Sequence, residues 1–491
     1  MGSDDAPAGL TRPRRPWWPA LATFLVAQAV LACWWAAFYP GLFSRDSVLY
    51  LSHTIAGPWV SDHSVLYDAL LWLSFTHTGD LGAVTFGQTT AMAAALTFLA
   101  QSLKAVGAPR RLTTAVAMLM PLAPPVGAFT VTLWKDVPFT ICAVAVAGVC
   151  ARFAAARRVS GPGLAGLAAL ALALGLFRAN GFVVVGVAVA VLALVVRTRR
   201  VRLLLAGAVA AALPLVLTNA VLPRFGIVPP SPTYVYHTAF GDVAVAFRDR
   251  PKLFGERDRA LLESVAPLDR WWWGGTCSTV NTLIWREDFS WQQADARAGE
   301  LLALWRRLLV EDPGLMVETR LCRGAIAWRP AGDPLLTGGT TYRLSLRPTA
   351  DTYVGPGRVT DFPGRWVFSL RPLSYELHQV ADPWLTGSLA PEYDWALWRG
   401  ASWAYLSYLA VAAGALAGRN RYVLGIAAVV AGQQLAVLVN ISAQDFRYMA
   451  APILIGALLA PLLLASLWRP ARSADAFNRC KQLISGKRTA P

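Results

Sequence analysis

Long apolar runs separated by short polar segments set the rhythm of this chain. Ten of them approach the roughly 20 helical residues that a hydrocarbon core of about 30 Å requires. They cover 17–38, 81–103, 111–128, 137–154, 162–177, 181–196, 203–221, 399–417, 422–439 and 448–468. The pattern predicts an all-α polytopic membrane protein, because in lipid only helices and closed barrels satisfy the backbone internally. A further apolar piece, 64–78, is short and carries Asp68. It is read as a helix lying in the membrane interface, with Trp59 and Trp72 as anchors.

Between 222 and 398 the rhythm stops: a Pro-rich entry (Pro223, Pro229, Pro230, Pro232) leads into charged helical stretches with no membrane-length apolar run. This reads as a large extracytoplasmic insert of mixed or mainly α structure. Its tryptophans, Trp271, Trp272, Trp273, Trp285 and Trp291, suit either a membrane surface or the faces of sugars.

Composition agrees with a bilayer as the main solvent: 55% of residues are hydrophobic, 15% are charged, and the mean hydropathy is +0.44. The net charge of +16 is distributed by topology. Basic clusters (Arg12, Arg14, Arg15; Lys104, Arg110, Arg111; Arg152, Arg157, Arg158; Arg197, Arg199, Arg200, Arg202; Arg419, Arg421; and Arg469 onward) fall in every second gap between spans. They hold 21 basic residues against Asp4, Asp5 and Asp475, a surplus of 18 that exceeds the net charge of +16. By the positive-inside rule they are cytoplasmic. Counting 64–78 as a span would put Lys104, Arg110 and Arg111 outside.

The resulting organisation is a basic cytoplasmic arm (1–16), an N-terminal membrane module (17–221) with an outer loop at 39–80, the insert (222–398), C-terminal membrane helices (399–468) and a basic cytoplasmic tail (469–491). With the charge scattered over short loops, nucleic acid is not an expected partner; membrane lipids are. The first span runs through Trp34 and Trp35 with no small-residue cleavage site and reads as a retained anchor. Cys277 and Cys322 are the only two cysteines of the insert and could pair in an oxidising compartment.

Applied to the charged residues near span ends, this topology gathers Asp46, Asp62, His63, Lys135, Asp136, Arg178, Asn180, Asp445 and Arg447 on the outer side. Ionisable groups at membrane depth or its edge are costly and are functional candidates by default. Plainer readings stand beside the functional one. A pair with Arg45 or a helix cap would account for Asp46, a cap would account for Asp136, and snorkelling to lipid headgroups would account for both arginines. Arginine is nonetheless the preferred partner of phosphate. His53, His63 and His77 share the loop with Asp46 and Asp62, a donor set that would suit a divalent metal, although no pair has a strong ligand spacing; the cofactor expectation stays open between a metal and none.

Tyr39-Pro40-Gly41, Thr132-Leu133-Trp134-Lys135-Asp136, Phe177-Arg178-Ala179-Asn180-Gly181 and Phe446-Arg447-Tyr448 together resemble an uncharacterised bacterial branch of the GT-C class of membrane glycosyltransferases. Asp46, the His63–Tyr67 stretch and Asp136 stand where that class has its first acidic motif, its juxtamembrane helix and its second acidic motif; Ser64 stands where it usually has Pro. The resemblance covers most of 17–200 and, more weakly, 399–468. It implies transfer of a sugar from a polyprenyl-phosphate donor to an extracytoplasmic glycan, lipid or protein at the cell membrane. Asp46 would be base or acceptor positioner and Asp136 the second acid. Lys135, Arg178 and Arg447 would contact phosphate, with Asn180, Asp445, Asp62 and His63 binding substrate. The alternative is a transporter or flippase of a lipid-linked saccharide. A non-enzymatic scaffold comes third.

Overall fold

The computed structural model describes residues 17–178, 180–196, 199–331 and 369–468. The basic arm 1–16, Arg197, the insert segment 332–368 and the tail 469–491 lie outside the described residues. Among the described residues the chain is helical and carries no strand, only isolated bridges.

The membrane module comprises α1 (Trp18–Ala37), α2 (Arg45–Leu51), α3 (Val65–Thr78), α4 (Gly82–Val106), α5 (Arg110–Leu119), α6 (Pro124–Thr130), α7 (Asp136–Ala156), α8 (Gly161–Phe177), α9 (Gly181–Val195) and α10 (Arg200–Val216). The insert holds α11 (His237–Asp249), α12 (Glu256–Val265), α13 (Leu268–Gly274), α14 (Asn281–Ile284), α15 (Trp291–Ala296), α16 (Ala298–Glu311), α17 (Pro313–Arg323), α18 (Ala325–Trp328), α19 (Tyr375–Ser388) and α20 (Asp394–Leu397). α21 (Gly400–Gly418), α22 (Ala428–Val439) and α23 (Ala450–Trp468) complete the bundle.

Seven helical segments are long and apolar enough to cross a membrane, so the protein is a multi-pass membrane protein. The other three expected spans differ. The run 111–128 is not one straight helix: Arg110–Leu122 and Pro124–Thr130 meet at 62°. Pro121, Pro124 and Pro125 explain the break, since proline removes an amide donor and clashes with the preceding turn. The runs 162–177 and 181–196 form α8 and α9, apolar but shorter than a full crossing. α3 buries Tyr67, Asp68, Leu71 and Ser74 and exposes Leu66, Leu70, Trp72 and Leu73, the two-faced pattern of an interfacial helix.

Helix ends sort into two sets. At one end Arg157 donates to Gly418 O (3.0 Å), Asn420 to Ala154 O (2.8 Å) and Arg152 to Ser102 Oγ (3.1 Å), so these basic loops lie together. The opposite end carries the loops bearing Asp46, Asp136, Arg178 and Arg447.

The insert separates into two parts. Residues 237–316 close around their own apolar core, including Phe240, Phe247, Leu262, Trp271, Ile284 and Leu304. Buried Asp242 ties this lobe together by taking Arg323 (2.9 Å) and Arg320 (2.6 Å). α19 instead packs on the bundle: Leu377 and Leu385 join the bundle core, Leu373 N donates to Ala36 O (2.8 Å), and Trp384 donates to Leu122 O (2.9 Å). Cys277 and Cys322 are disulfide-bonded with Cα atoms 5.7 Å apart, the usual spacing for a bridge.

Candidate active site

Asp46 reaches its place through a backbone splice. The chain leaves α1 through Tyr39-Pro40-Gly41, where Gly41 has φ +152° and a Cβ would lie 2.7 Å from Thr85 Cγ2 and 2.8 Å from Val131 O. Only glycine fits. Beyond it Leu42 N donates to Val131 O and Leu133 N to Leu42 O, both at 3.0 Å. Ser44 caps α2 in a reciprocal box with Ser47. Ser47 Oγ donates to Leu133 O (2.8 Å), and the Trp134 indole donates to Ser44 Oγ. The first loop is thereby laced to residues 131–134, which brings Asp46 beside Lys135 and Asp136. The cap is Ser44, so Asp46 is not needed for capping.

Asp136 opens α7 but makes no cap either: the N-cap residue is Lys135, without a side-chain cap hydrogen bond. The Asp136 carboxylate turns to two arginines, lying 2.7 Å from Arg178 Nη1 and 3.8 Å from Arg447 Nη1. Arg447 also pairs with Asp46 and, through Nε, with Asp445 at 3.0 Å. Arg178 Nε donates to Asn180 Oδ1 (3.1 Å). Tyr448 lies between the guanidinium groups, its ring centre 4.6 Å from Arg178 Cζ and 5.0 Å from Arg447 Cζ; Trp134 covers Arg447 at 4.8 Å and Phe139 covers Arg178 at 5.3 Å. Such ring faces favour cations held out of bulk water.

Lys135 stands apart. Its ammonium lies 5.8 Å from the centre of the Tyr50 ring, and no ion pair within 4.0 Å includes it among the described residues. Burial pulls it down to about 8, with Asp136 and Asp46 opposing. At Asp46 burial pushes the carboxyl up, but Arg447, His63 and Lys135 outweigh it and hold the group well below the usual carboxylate range. Burial raises the Asp445 carboxyl to about 6 against the pull of Arg447.

These groups line one cavity of about 1710 Å³. Near the helix ends its wall includes Phe182, Pro214 and Leu215, with Leu215 and Val216 exposed on the bundle surface; across from them it is walled by the insert. A space this size exceeds the roughly 300–1,000 Å³ that suits one drug-sized ligand.

Asp62 and His63 line the same cavity and pair at 2.9 Å. Burial pushes the Asp62 carboxyl up, but His63, His53 and Lys135 hold it below its ordinary value. His53 lies 3.8 Å from Asp62 and 3.9 Å from buried Asp68. His77 stands exposed at the far end of α3, its Nδ1 against Leu73 O (3.0 Å). Among the described residues no group of three or more His, Cys, Asp or Glu is arranged to hold a metal ion. Ser64 caps α3 by accepting from Tyr67 N (3.1 Å) and donates to Leu176 O (2.8 Å), fixing α3 against α8.

All nine charged or polar candidates from the sequence border this one cavity. What sequence reasoning missed is their aromatic setting. Trp134 and Tyr448 sit inside the motifs and carried a signal through their neighbours; Tyr50, Tyr234 and His237 carried none. Comparison with protein-family models, curated proteins and solved structures finds no match for this chain.

Proposed function

We propose that the protein is a membrane glycosyltransferase that moves a sugar from a polyprenyl-phosphate donor to an acceptor on the extracytoplasmic side of the cell membrane. The observation that carries this reading is the cavity itself, where Asp46, Asp136 and Asp445 meet Lys135, Arg178 and Arg447 from separate loops at the end of an apolar bundle away from its basic loops. The positive-inside rule makes that end extracytoplasmic. The apolar wall by Phe182 and Leu215 suits a prenyl chain, and the cations suit its phosphate.

Lys135, which has no carboxylate partner among the described residues, receives the phosphate first. Arg447 and Arg178 lie next to it, held in position by Asp136. The donor's phosphodiester anion, drawn to Arg447, competes with Asp46 for the guanidinium, and as that pair loosens Asp46 regains basicity. The acceptor hydroxyl oxygen then bonds to the anomeric carbon, its proton passes to Asp46, and the sugar–phosphate C–O bond breaks. The electron pair leaves on the polyprenyl phosphate, where the cations stabilise the growing charge. Asp46 is thus the catalytic carboxylate and Asp136 a positioning residue.

Nanodiscs carrying the protein and a polyprenyl phosphate labelled in its sugar test this reading. The expected result is protein-dependent release of free polyprenyl phosphate with the label moving to cell-envelope acceptor material. Intact donor appearing on the opposite face of sealed vesicles would instead establish a flippase.

A further inference from the structure

The part of the cavity that the donor chemistry does not use is walled by the insert, and its composition is distinctive. α13 presents three consecutive tryptophans, which a helix turns by about 100° each. Trp271 is fully buried and donates to Leu262 O (2.9 Å), locking the helix into the insert core. Trp272 turns toward Phe247, with ring centres 6.3 Å apart. Trp273, 74% exposed, lines the cavity. α14 repeats the division: Leu283 and Ile284 enter the core, while Asn281 and Thr282 face the cavity. Trp285 follows, 40% exposed and steadied by the rings of Tyr234 (6.3 Å) and Trp291 (6.1 Å), and then Arg286 and Glu287.

This wall is fixed in register with the charged end. Val280 N donates to Ser442 O (2.8 Å), Gln444 N to Ser278 O (3.3 Å) and the Gln444 side chain to Cys322 O (2.9 Å). Arg447 begins three residues later. The Cys277–Cys322 bridge pins the same loop to α17.

We infer that this wall is the acceptor subsite and that the acceptor is a saccharide chain. The inference rests on the proposed glycosyl transfer and specifies its second substrate. The exposed ring of Trp273, with Trp285 beside it on the cavity wall, matches the C–H faces of pyranose rings. The amide of Asn281, the Arg286 donor and the Glu287 acceptor match vicinal hydroxyls. A lipid acceptor would need a second apolar channel rather than this polar border. Membrane anchoring would call for tryptophans on the outer surface of the insert, whereas Trp273 and Trp285 line the cavity.

The full chain in nanodiscs, probed by saturation-transfer NMR with a panel of malto-, cello-, chito- and mannohexaose, tests the subsite directly. At least one hexaose binds the wild type, and Trp273→Ala or Trp285→Ala weakens it by roughly tenfold, the loss expected from one stacked ring. Trp272→Ala, which alters a tryptophan as exposed as Trp285 but off the cavity, leaves binding unchanged. The same variants raise the KM for cell-envelope acceptor and leave the KM for donor unaltered. Failure of every hexaose to bind, or binding indifferent to both substitutions, overturns the subsite. If donor turnover is absent but Trp273→Ala abolishes saccharide binding, glycosyl transfer fails and the subsite stands. If turnover proceeds with acceptor KM unmoved in both variants, the subsite fails and glycosyl transfer stands.

Discussion

Arg447 and Asp46 form an ion pair across 401 residues of chain, closing the last helix of the bundle onto the first loop. The pair is only partly shielded: the Asp46 side chain keeps 28% of its exposure and Arg447 keeps 12%. It can therefore be opened by a competing anion, and its coupling is measurable. A double-mutant cycle with Asp46→Asn and Arg447→Gln is expected to give a stabilising interaction of about 0.5–3 kcal/mol in detergent melting experiments, the range for contacting charged residues. Arg447→Gln alone leaves Asp46 and Asp445 without their cation and is the more destabilising single change. Additive effects within about 0.3 kcal/mol would show the two side chains to be independent.

Lys135 supplies a pH dependence. Its ammonium is lowered to about 8 by burial, so the free protein carries the charge below that pH and loses it above. Donor kcat/KM, which reports groups of the free enzyme, is expected to fall as pH rises through about 8. Lys135→Arg, whose guanidinium stays charged, removes this alkaline limb. A limb that persists in the arginine variant would assign it to another group.

Removing the Cys277–Cys322 bridge releases a link across 45 residues of sequence. The double serine variant is expected to lose about 2–4 kcal/mol of insert stability, read as a lower melting transition. Free-thiol labelling of the unreduced wild type at both cysteines would contradict the pairing.

Sidedness is open to direct chemistry. With a membrane-impermeant maleimide and intact cells, Arg250→Cys on the exposed rim of the insert is expected to react, while Arg157→Cys in a basic loop reacts only after lysis. The reverse pattern would place the cavity on the cytoplasmic side.

Much of this architecture was legible in the sequence because the bilayer demands long apolar runs and the basic loops alternate with them. The bend inside 111–128 has a visible cause in Pro121, Pro124 and Pro125, which apolar length alone does not register. That the nine candidates share one end of the bundle was legible by sidedness alone. Their pairing was not, since nothing local joins Asp46 to Arg447 or Asp136 to Arg178; those contacts depend on the Leu42–Val131 splice and on helix packing. The tryptophans of the insert were visible as a density, but which of Trp271, Trp272 and Trp273 faces a cavity is decided by the phase of α13.

The central claim is that Asp46 takes the acceptor proton in a glycosyl transfer. Asparagine keeps its shape and removes its charge, and because Ser44 is the cap the substitution costs α2 little. The decisive measurement is turnover of a polyprenyl-phosphate sugar by purified wild type and Asp46→Asn with cell-envelope acceptor, each checked by melting temperature and soluble yield. The account predicts a folded variant slowed by about 10²- to 10⁴-fold, the usual contribution of a general base. A folded variant that keeps more than about half of wild-type turnover, far short of that loss, would contradict it.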